Sequence, residues 1–156
     1  MTAGMPSTLF VCLGNICRSP LAEAALRAEA ARHGLGIEID SAGTGGWHAG
    51  DPPDSRAQAT ALRHGVDISG YRARQIGLDD FHRFDQIFAL DPQNLTDLMR
   101  IAPIDATAHT SLLMDLVPGR EGTAVLDPYY GDEAGFETTW ADVTRAAGII
   151  MSQLTR

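Results

Sequence analysis

No stretch of the 156 residues is apolar for long enough to form a membrane-spanning helix, which needs about 20 residues. Met1–Ser7 lacks the basic and apolar regions of a secretory leader, so a cytoplasmic location is expected. Cysteine is scarce: Cys12 and Cys17 are the two present, and a disulfide between them would close too small a loop to stabilise the fold. That favours a reducing compartment. Basic residues are outnumbered, 12 Lys and Arg against 20 Asp and Glu, and the net charge of −8 disfavours nonspecific binding to nucleic acid or an anionic membrane. Any phosphate affinity must then come from local geometry. The five histidines are scattered, and neither they nor the cysteines have zinc-ligand spacing, so no metal is expected. The chain also lacks the Gly-Lys-Ser/Thr ending of a nucleotide P-loop and the three-glycine dinucleotide pattern. Repeats and low-complexity tracts are absent. The length is that of one domain over 1–156, with 1–6 read as a flexible N-terminal extension.

What the chain does have is concentrated in Phe10-Val11-Cys12-Leu13-Gly14-Asn15-Ile16-Cys17-Arg18-Ser19-Pro20. Thr8–Val11 reads as a buried strand, and Ser19-Pro20 as a helix cap followed by proline in the first turn. A loop of this length between strand and helix can turn its backbone N–H groups inward. The helix dipole adds to them, so a phosphate-sized dianion is favoured at the centre. Gly14 lets the backbone tighten. Arg18 offers a planar fork for two phosphate oxygens. The same field favours thiolate over thiol at Cys12, making it a candidate nucleophile. A plain reading of Cys12 as a buried apolar cysteine competes with this. Arg18 as a surface residue does not compete well, because a cation at a helix N-terminus opposes the dipole unless an anion is present.

Along the rest of the chain, Leu21–His33 reads as a helix ended by Gly34, and 36–41 as a second strand running into a Gly-rich turn. Asp51-Pro52-Pro53 is expected to open a helix that continues from Asp54 to about His64. Residues 66–76 read as loop, 78–84 as a short helix and 85–90 as a third buried strand. Asp91-Pro92 opens a further helix through about Arg100. Residues 109–114 form the fourth strand, 115–130 a long loop, and Phe136, Trp140, Val143, Ala147, Ile150 and Leu154 give a terminal helix one apolar face. The fold class is therefore α/β, a single doubly wound domain with a four-stranded parallel sheet flanked by helices. Ligands in such sheets bind beyond the carboxyl ends of the strands, where Cys12, Ser41–Thr44 and Asp91 all fall. The loop carrying Asp127 must then fold over that edge.

The spacing Cys12-x5-Arg18-Ser19 is a signature of cysteine-dependent phosphatases, and its place near the N-terminus resembles the low-molecular-weight protein tyrosine phosphatase family. Ser41-Ala42-Gly43-Thr44, Trp47-His48-x-Gly50, Pro53-Asp54, Ala73-Arg74-Gln75, Asp79-x-Phe81 and Asp127-Pro128-Tyr129-Tyr130-Gly131 followed by Phe136-Glu137 are similar to further landmarks of that family, in its order. The resemblance implies hydrolysis of phosphotyrosine in proteins, with Cys12 as nucleophile, Arg18 as phosphate clamp and Asp127 as general acid and base. Leu13, Gly14, Asn15, Ile16, Cys17 and Ser19 would bind phosphate, and Trp47, Tyr129 and Tyr130 would wall the cleft. It further implies that Ser19 stabilises the departing thiolate, that Asn15 and Ser41 hold the loop's shape, and that Cys17 protects Cys12 through a reversible disulfide. No cofactor is implied. The partner would be a phosphotyrosyl protein, with a tyrosine kinase opposing the reaction, and the enzyme a monomer or weak dimer. On the residues alone, Asp127 could equally be a turn-forming Asp-Pro.

Tyr71 departs from the family pattern, which often has histidine there, so the supporting hydrogen bonds are expected to differ. Three rivals follow from the same motifs. An arsenate reductase of this fold would need cysteines beyond Cys12 and Cys17. A protein-arginine phosphatase favours threonine where Ile16 stands. A noncatalytic phosphotyrosine-binding module would have no need of Cys12 and Asp127.

Overall fold

The computed structural model describes residues 6–155. Most of the expected N-terminal extension, 1–5, lies outside the described residues. Ser7 is fixed: its N–H donates to Asp85 Oδ2 at 2.8 Å and its carbonyl accepts from the N–H groups of Asp85 and Gln86.

Four parallel strands form one sheet in the order β2-β1-β3-β4, with β1 Thr8–Cys12, β2 Ile39–Gly43, β3 Gln86–Ala89 and β4 His109–Leu112. Side-chain alternation along β1 divides the core. Phe10 and Cys12 point to the face covered by α1 (Arg18–Arg32) and α5 (Glu133–Leu154), where Leu21, Leu26, Phe88, Phe136 and Val143 are buried with them. Leu9 and Val11 point to the other face, against Phe81 and Phe84 around α3 (Asp80–Arg83) and Leu98 of α4 (Pro92–Ile101). A strand buried on both faces reads as a continuous apolar run, which is what Thr8–Val11 is. The remaining helix, α2 (Ser55–Arg63), packs on α1 and α5. No described helix is long and apolar enough to cross a membrane.

Several boundaries differ from the sequence expectation for definite reasons. Helix α1 starts at Arg18 and its N-cap position is Cys17, with no side-chain cap. Ser19 is inside the first turn rather than capping it, because its hydroxyl is engaged by Cys12 and Asn15. Strand β2 begins at Ile39, three residues later than the alternation suggested, and continues through Gly43. Gly43 belongs to the strand through its pairing with Cys12, and it must be glycine because a β-carbon there would lie 2.7 Å from the Leu13 carbonyl of the loop passing beside it. Asp51-Pro52-Pro53 does not open α2; Asp54 does, its side chain accepting from Arg56 N–H at 2.8 Å. Residues 113–116, expected as strand end and loop, form a 3-10 turn. Asp91 caps α4 as expected, accepting from Asn94 N–H at 2.6 Å with Pro92 behind it.

Candidate active site

Cys12 ends β1, and the next five residues turn back over its sulfur before α1 begins. The turn is made at Asn15, whose φ of 59° is the one left-handed value among described non-glycine residues. Asparagine is among the few residue types that accept this conformation, and such strain collects at functional sites. Gly14, expected to supply the tight turn, instead provides room: a β-carbon there would meet His48 Cδ2 at 3.1 Å.

The hydrogen bonds behind the loop have a definite direction. Arg74 N–H donates to Asn15 Oδ1 at 3.0 Å, which fixes the amide so that its NH2 group faces Ser19 Oγ at 2.8 Å and Ser41 Oγ at 3.0 Å. Ser19 Oγ thus receives a hydrogen from Asn15 and has its own to give to Cys12 Sγ, 3.0 Å away. Asn15 N–H reaches the same sulfur at 3.3 Å. Both donors therefore converge on Cys12 Sγ. Ser41 in turn donates to Glu23 Oε1 at 2.7 Å, and Glu23 Oε2 accepts from Arg27 Nε at 2.8 Å. Burial raises the Glu23 carboxyl above its ordinary range despite the Ser41 and Arg27 donors. Tyr71 stands beside this pair; burial, then the Glu23 charge, pushes its hydroxyl up to about 12, so it keeps its proton at neutral pH. Glu23 and Arg27 were not legible as site residues, since on sequence they are merely an i, i+4 pair on an alanine-rich helix.

Arg18 is buried. Its NH1 donates to Asp91 Oδ2 at 2.8 Å and to the Val125 carbonyl at 3.2 Å, and its NH2 lies 3.8 Å from Asp127 Oδ2. The conflict between an arginine and a helix N-terminus is thus resolved inside the protein by Asp91, which doubles as the cap of α4. Asp91 was read from sequence as that cap and as a residue at the ligand edge of the sheet, but not as the partner of Arg18.

Asp127 arrives on the loop that follows the 3-10 turn, and its side chain is 53% exposed. Oδ1 accepts from Tyr129 N–H at 3.2 Å, so the turn-forming reading of Asp-Pro also holds. The loop is secured at Val125, whose N–H donates to the Leu90 carbonyl at 2.8 Å, and at Leu126, whose carbonyl accepts from Thr139 Oγ1 at 2.8 Å. Arg56 holds the far side by donating to the carbonyls of Tyr129 at 2.9 Å and Gly131 at 3.3 Å, and stacks its guanidinium over the Phe136 ring. Its own hydrogen bonds to Asp54 keep that carboxyl below its usual range.

Together these elements enclose a cavity of about 250 Å³ lined by residues 12–18, Trp47, His48, Asp127, Tyr129 and Tyr130. Of the residues given a catalytic, binding or supporting role from sequence, Ser19 and Ser41 alone do not line it; they stand behind its floor. His48 lines it too, though from sequence it was read only as part of the Trp47-His48-x-Gly50 landmark, with no role. The walls are unusually open for aromatic groups, with Trp47 72% and Tyr130 95% exposed. Tyr129 and Tyr130 meet edge to face, with ring centroids 4.9 Å apart. Cys17 lines the cavity as a free, buried thiol, and burial followed by the Asp54 charge pushes it well above its ordinary value. Among the described residues no group of His, Cys, Asp and Glu is arranged to hold a metal.

A Cys-x5-Arg loop at the carboxyl edge of a doubly wound parallel sheet defines the class, that of the cysteine-dependent phosphatases. Residues 7–156 match the family model described as low molecular weight phosphotyrosine protein phosphatase, and the chain belongs to that family. It is 47% identical over 128 residues to a low molecular weight protein-tyrosine-phosphatase of Bacillus subtilis, covering 81% of this chain and 82% of the relative. The human low molecular weight phosphotyrosine protein phosphatase is 41% identical over 142 residues, 89% of each chain. Among solved structures, that of Bacillus subtilis YfkJ superposes with a TM-score of 0.90 at 39% identity, covering 99% of this chain and 98% of that one. A Drosophila arginine phosphatase superposes with a TM-score of 0.91 at 31% identity, covering 96% and 98%.

Proposed function

We propose that the protein hydrolyses phosphotyrosine in proteins through a cysteinyl-phosphate intermediate. The observation that supports this most is the convergence of two hydrogen-bond donors on Cys12 Sγ at the floor of an aromatic-walled cavity, with Asp127 at its mouth. In the first step the Cys12 thiolate attacks phosphorus and forms an S–P bond while the P–O bond to the tyrosine ring breaks. Arg18 and the backbone N–H groups of residues 13–17 hold the non-bridging oxygens, and Asp127 gives its proton to the leaving phenol. In the second step Asp127, now a carboxylate, takes a proton from water, whose oxygen attacks phosphorus. The S–P bond breaks, returning thiolate and releasing inorganic phosphate. Neither step requires a cofactor. Trp47, Tyr129 and Tyr130 give flat walls for the ring. Cys17 retains its proton and so does not compete with Cys12 for phosphorus; the role we assign it is to condense with Cys12 once a peroxide has oxidised that thiolate to a sulfenic acid, the S–O bond breaking and water leaving as the disulfide forms.

The chain acts as one domain in the cytoplasm, as a monomer or weak dimer, opposing a tyrosine kinase. The likeness to the Drosophila arginine phosphatase favours phosphoarginine as the second reading, and Ile16 stands against it. Phosphate release from matched phosphotyrosyl, phosphoseryl and phosphoarginyl peptides under reducing conditions decides between them, with Cys12→Ser as blank. Release from the phosphotyrosyl peptide alone is expected. Preference for phosphoarginine would transfer the assignment, and release from none would remove it.

A further inference from the structure

Trp47 and Leu13 have two sides. One faces the cavity over Cys12. The other forms a wall of a second depression of about 260 Å³, whose remaining lining comes from Thr44 and Gly45 after β2 and from Asp97, Arg100 and Ile101 on α4. The two hollows are therefore adjoining, with an exposed indole and an exposed leucine as their partition. A peptide whose phosphorylated side chain fills the first must lay neighbouring residues across this partition or across the tyrosine wall opposite.

The second hollow has a definite chemistry. Trp47, Leu13 and Ile101 present apolar surface suited to a methylene stem. Arg100 has its side chain 70% exposed, and its described partner is Asp97 Oδ1 at 3.4 Å on the same helix. A single long bond of that kind between exposed groups is weak and easily exchanged. Asp97 is the recessed member, 25% exposed, and already accepts from Gln93 Nε2 at 3.0 Å as well as from Arg100. Both bonds fall on Oδ1, and with Asp97 recessed an incoming cation would have poor access to its other oxygen, while an incoming carboxylate would meet a guanidinium with most of its donors in solvent. Thr44, at the same hollow, holds a buried hydroxyl with no partner among the described residues. The contrast with the tyrosine wall is one of charge, since Asp127 lines that side and Arg56 there is committed to Asp54 and two carbonyls.

We propose that this hollow is a specificity subsite that takes an acidic side chain, glutamate in preference to aspartate, flanking the phosphotyrosine of the substrate protein, with Arg100 as the discriminating residue. The inference rests on the phosphotyrosine reading given above. It also sets local charge against global charge: a protein of net charge −8 repels acidic peptides in general, so a preference for one flanking glutamate at a fixed position has to be local.

The test is a series of phosphotyrosyl peptides in which a single glutamate is moved through the positions on either side of an otherwise neutral sequence, with kcat/KM measured at low and high salt. One position is expected to raise kcat/KM about two- to fivefold, the range of an exposed ion pair, and the gain should fall with salt. Arg100→Gln should level the series, and Arg100→Glu should turn the preference at that position toward lysine. Both variants should hydrolyse a small aryl phosphate at the wild-type rate, since that substrate does not reach the hollow. A flat series with wild type, or a glutamate preference that survives Arg100→Gln, would overturn the subsite while leaving the phosphatase intact. Failure of wild type to hydrolyse the aryl phosphate itself would overturn both.

Discussion

From Cys12 to Arg18 the chain is held from behind, by buried side chains whose hydrogen bonds run Arg74 to Asn15 to Ser19 to the sulfur. From Val125 to Gly131 it is held at its ends and from outside, by Leu90 just after β3, Thr139 and the half-buried Arg56, with Asp127 left half in solvent. The difference fits the roles proposed for the two loops. A nucleophile must have its charge stabilised before substrate arrives, which takes donors fixed in advance and shielded from water. A group that gives a proton in one step and takes one in the next needs access to water between them, so burial would work against it. The two loops meet through Arg18, whose NH1 is committed to Asp91 and Val125 and whose NH2 approaches Asp127.

Breaking the first loop at its centre should have the largest effect. Cys12→Ser is expected to abolish phosphate release while still binding inorganic phosphate, measured by turnover and by calorimetric titration. Loss of binding as well would mean that the sulfur shapes the cradle rather than only attacking from it. Breaking the second loop should be graded. Asp127→Ala is expected to reduce turnover about 10²–10⁴-fold for phosphotyrosyl substrates and much less for aryl phosphates whose leaving group needs no proton. An equal loss on both would show that Asp127 matters through Arg18 instead.

Asn15 separates the two contributions to the first loop. Asn15→Ala leaves Ser19, Ser41 and Arg74 N–H short of partners, about 1–3 kcal/mol, and replaces asparagine at φ 59° with a residue that accepts the left-handed region less readily. Asn15→Gly should recover only the second part of the stability, read by urea denaturation. In both variants alkylation of Cys12 by iodoacetate at neutral pH should slow. Full recovery by glycine would mean that backbone shape, and not the directed hydrogen bonds, prepares the thiol.

The contrast between the loops also bears on what the sequence made legible. Strand, loop and helix around Cys12 are local, so alternation, the Cys-x5-Arg spacing and helix composition were enough to find them. Ser19 was misplaced as a cap because a serine before proline satisfies the local rule equally well; its engagement by Asn15 and Cys12 was not legible in that pattern. The site contacts of Glu23, Arg27, Asp91 and Arg56 were missed for one shared reason. Each also satisfies a local rule, as a helix pair, a helix cap or a neighbour of a cap, and only the crossing of distant segments shows the second role. Arg56→Ala is accordingly expected to lower turnover of phosphotyrosyl peptides by less than about tenfold while sparing phosphate binding, since it removes support from the acid loop alone. An equal weakening of phosphate binding would show that the loops are not independently held.

The smallest expected effect compares the carboxylates behind the two loops, which shift in opposite directions. Asp54 is held below its ordinary range because the Arg56 hydrogen bonds outweigh its burial, so its contribution to stability is present above the ordinary aspartate range and lost as pH falls. Glu23 is raised because burial outweighs the donors from Ser41 and Arg27. With its native value above the unfolded one, folding retains a proton that the unfolded chain gives up, so this stabilisation is full below the ordinary glutamate range and lost as pH rises through the native value. Glu23→Gln keeps an acceptor for Ser41 but cannot titrate. Its thermal midpoint relative to wild type should therefore rise between acid and neutral pH, with the other carboxylates cancelling in the comparison. A fall over the same interval would mean that Arg27 and Ser41 win over burial. Glu23 would then be charged in the native enzyme well into the acid range, and the phosphate loop would be held from behind by an ion pair, as the acid loop is held from outside.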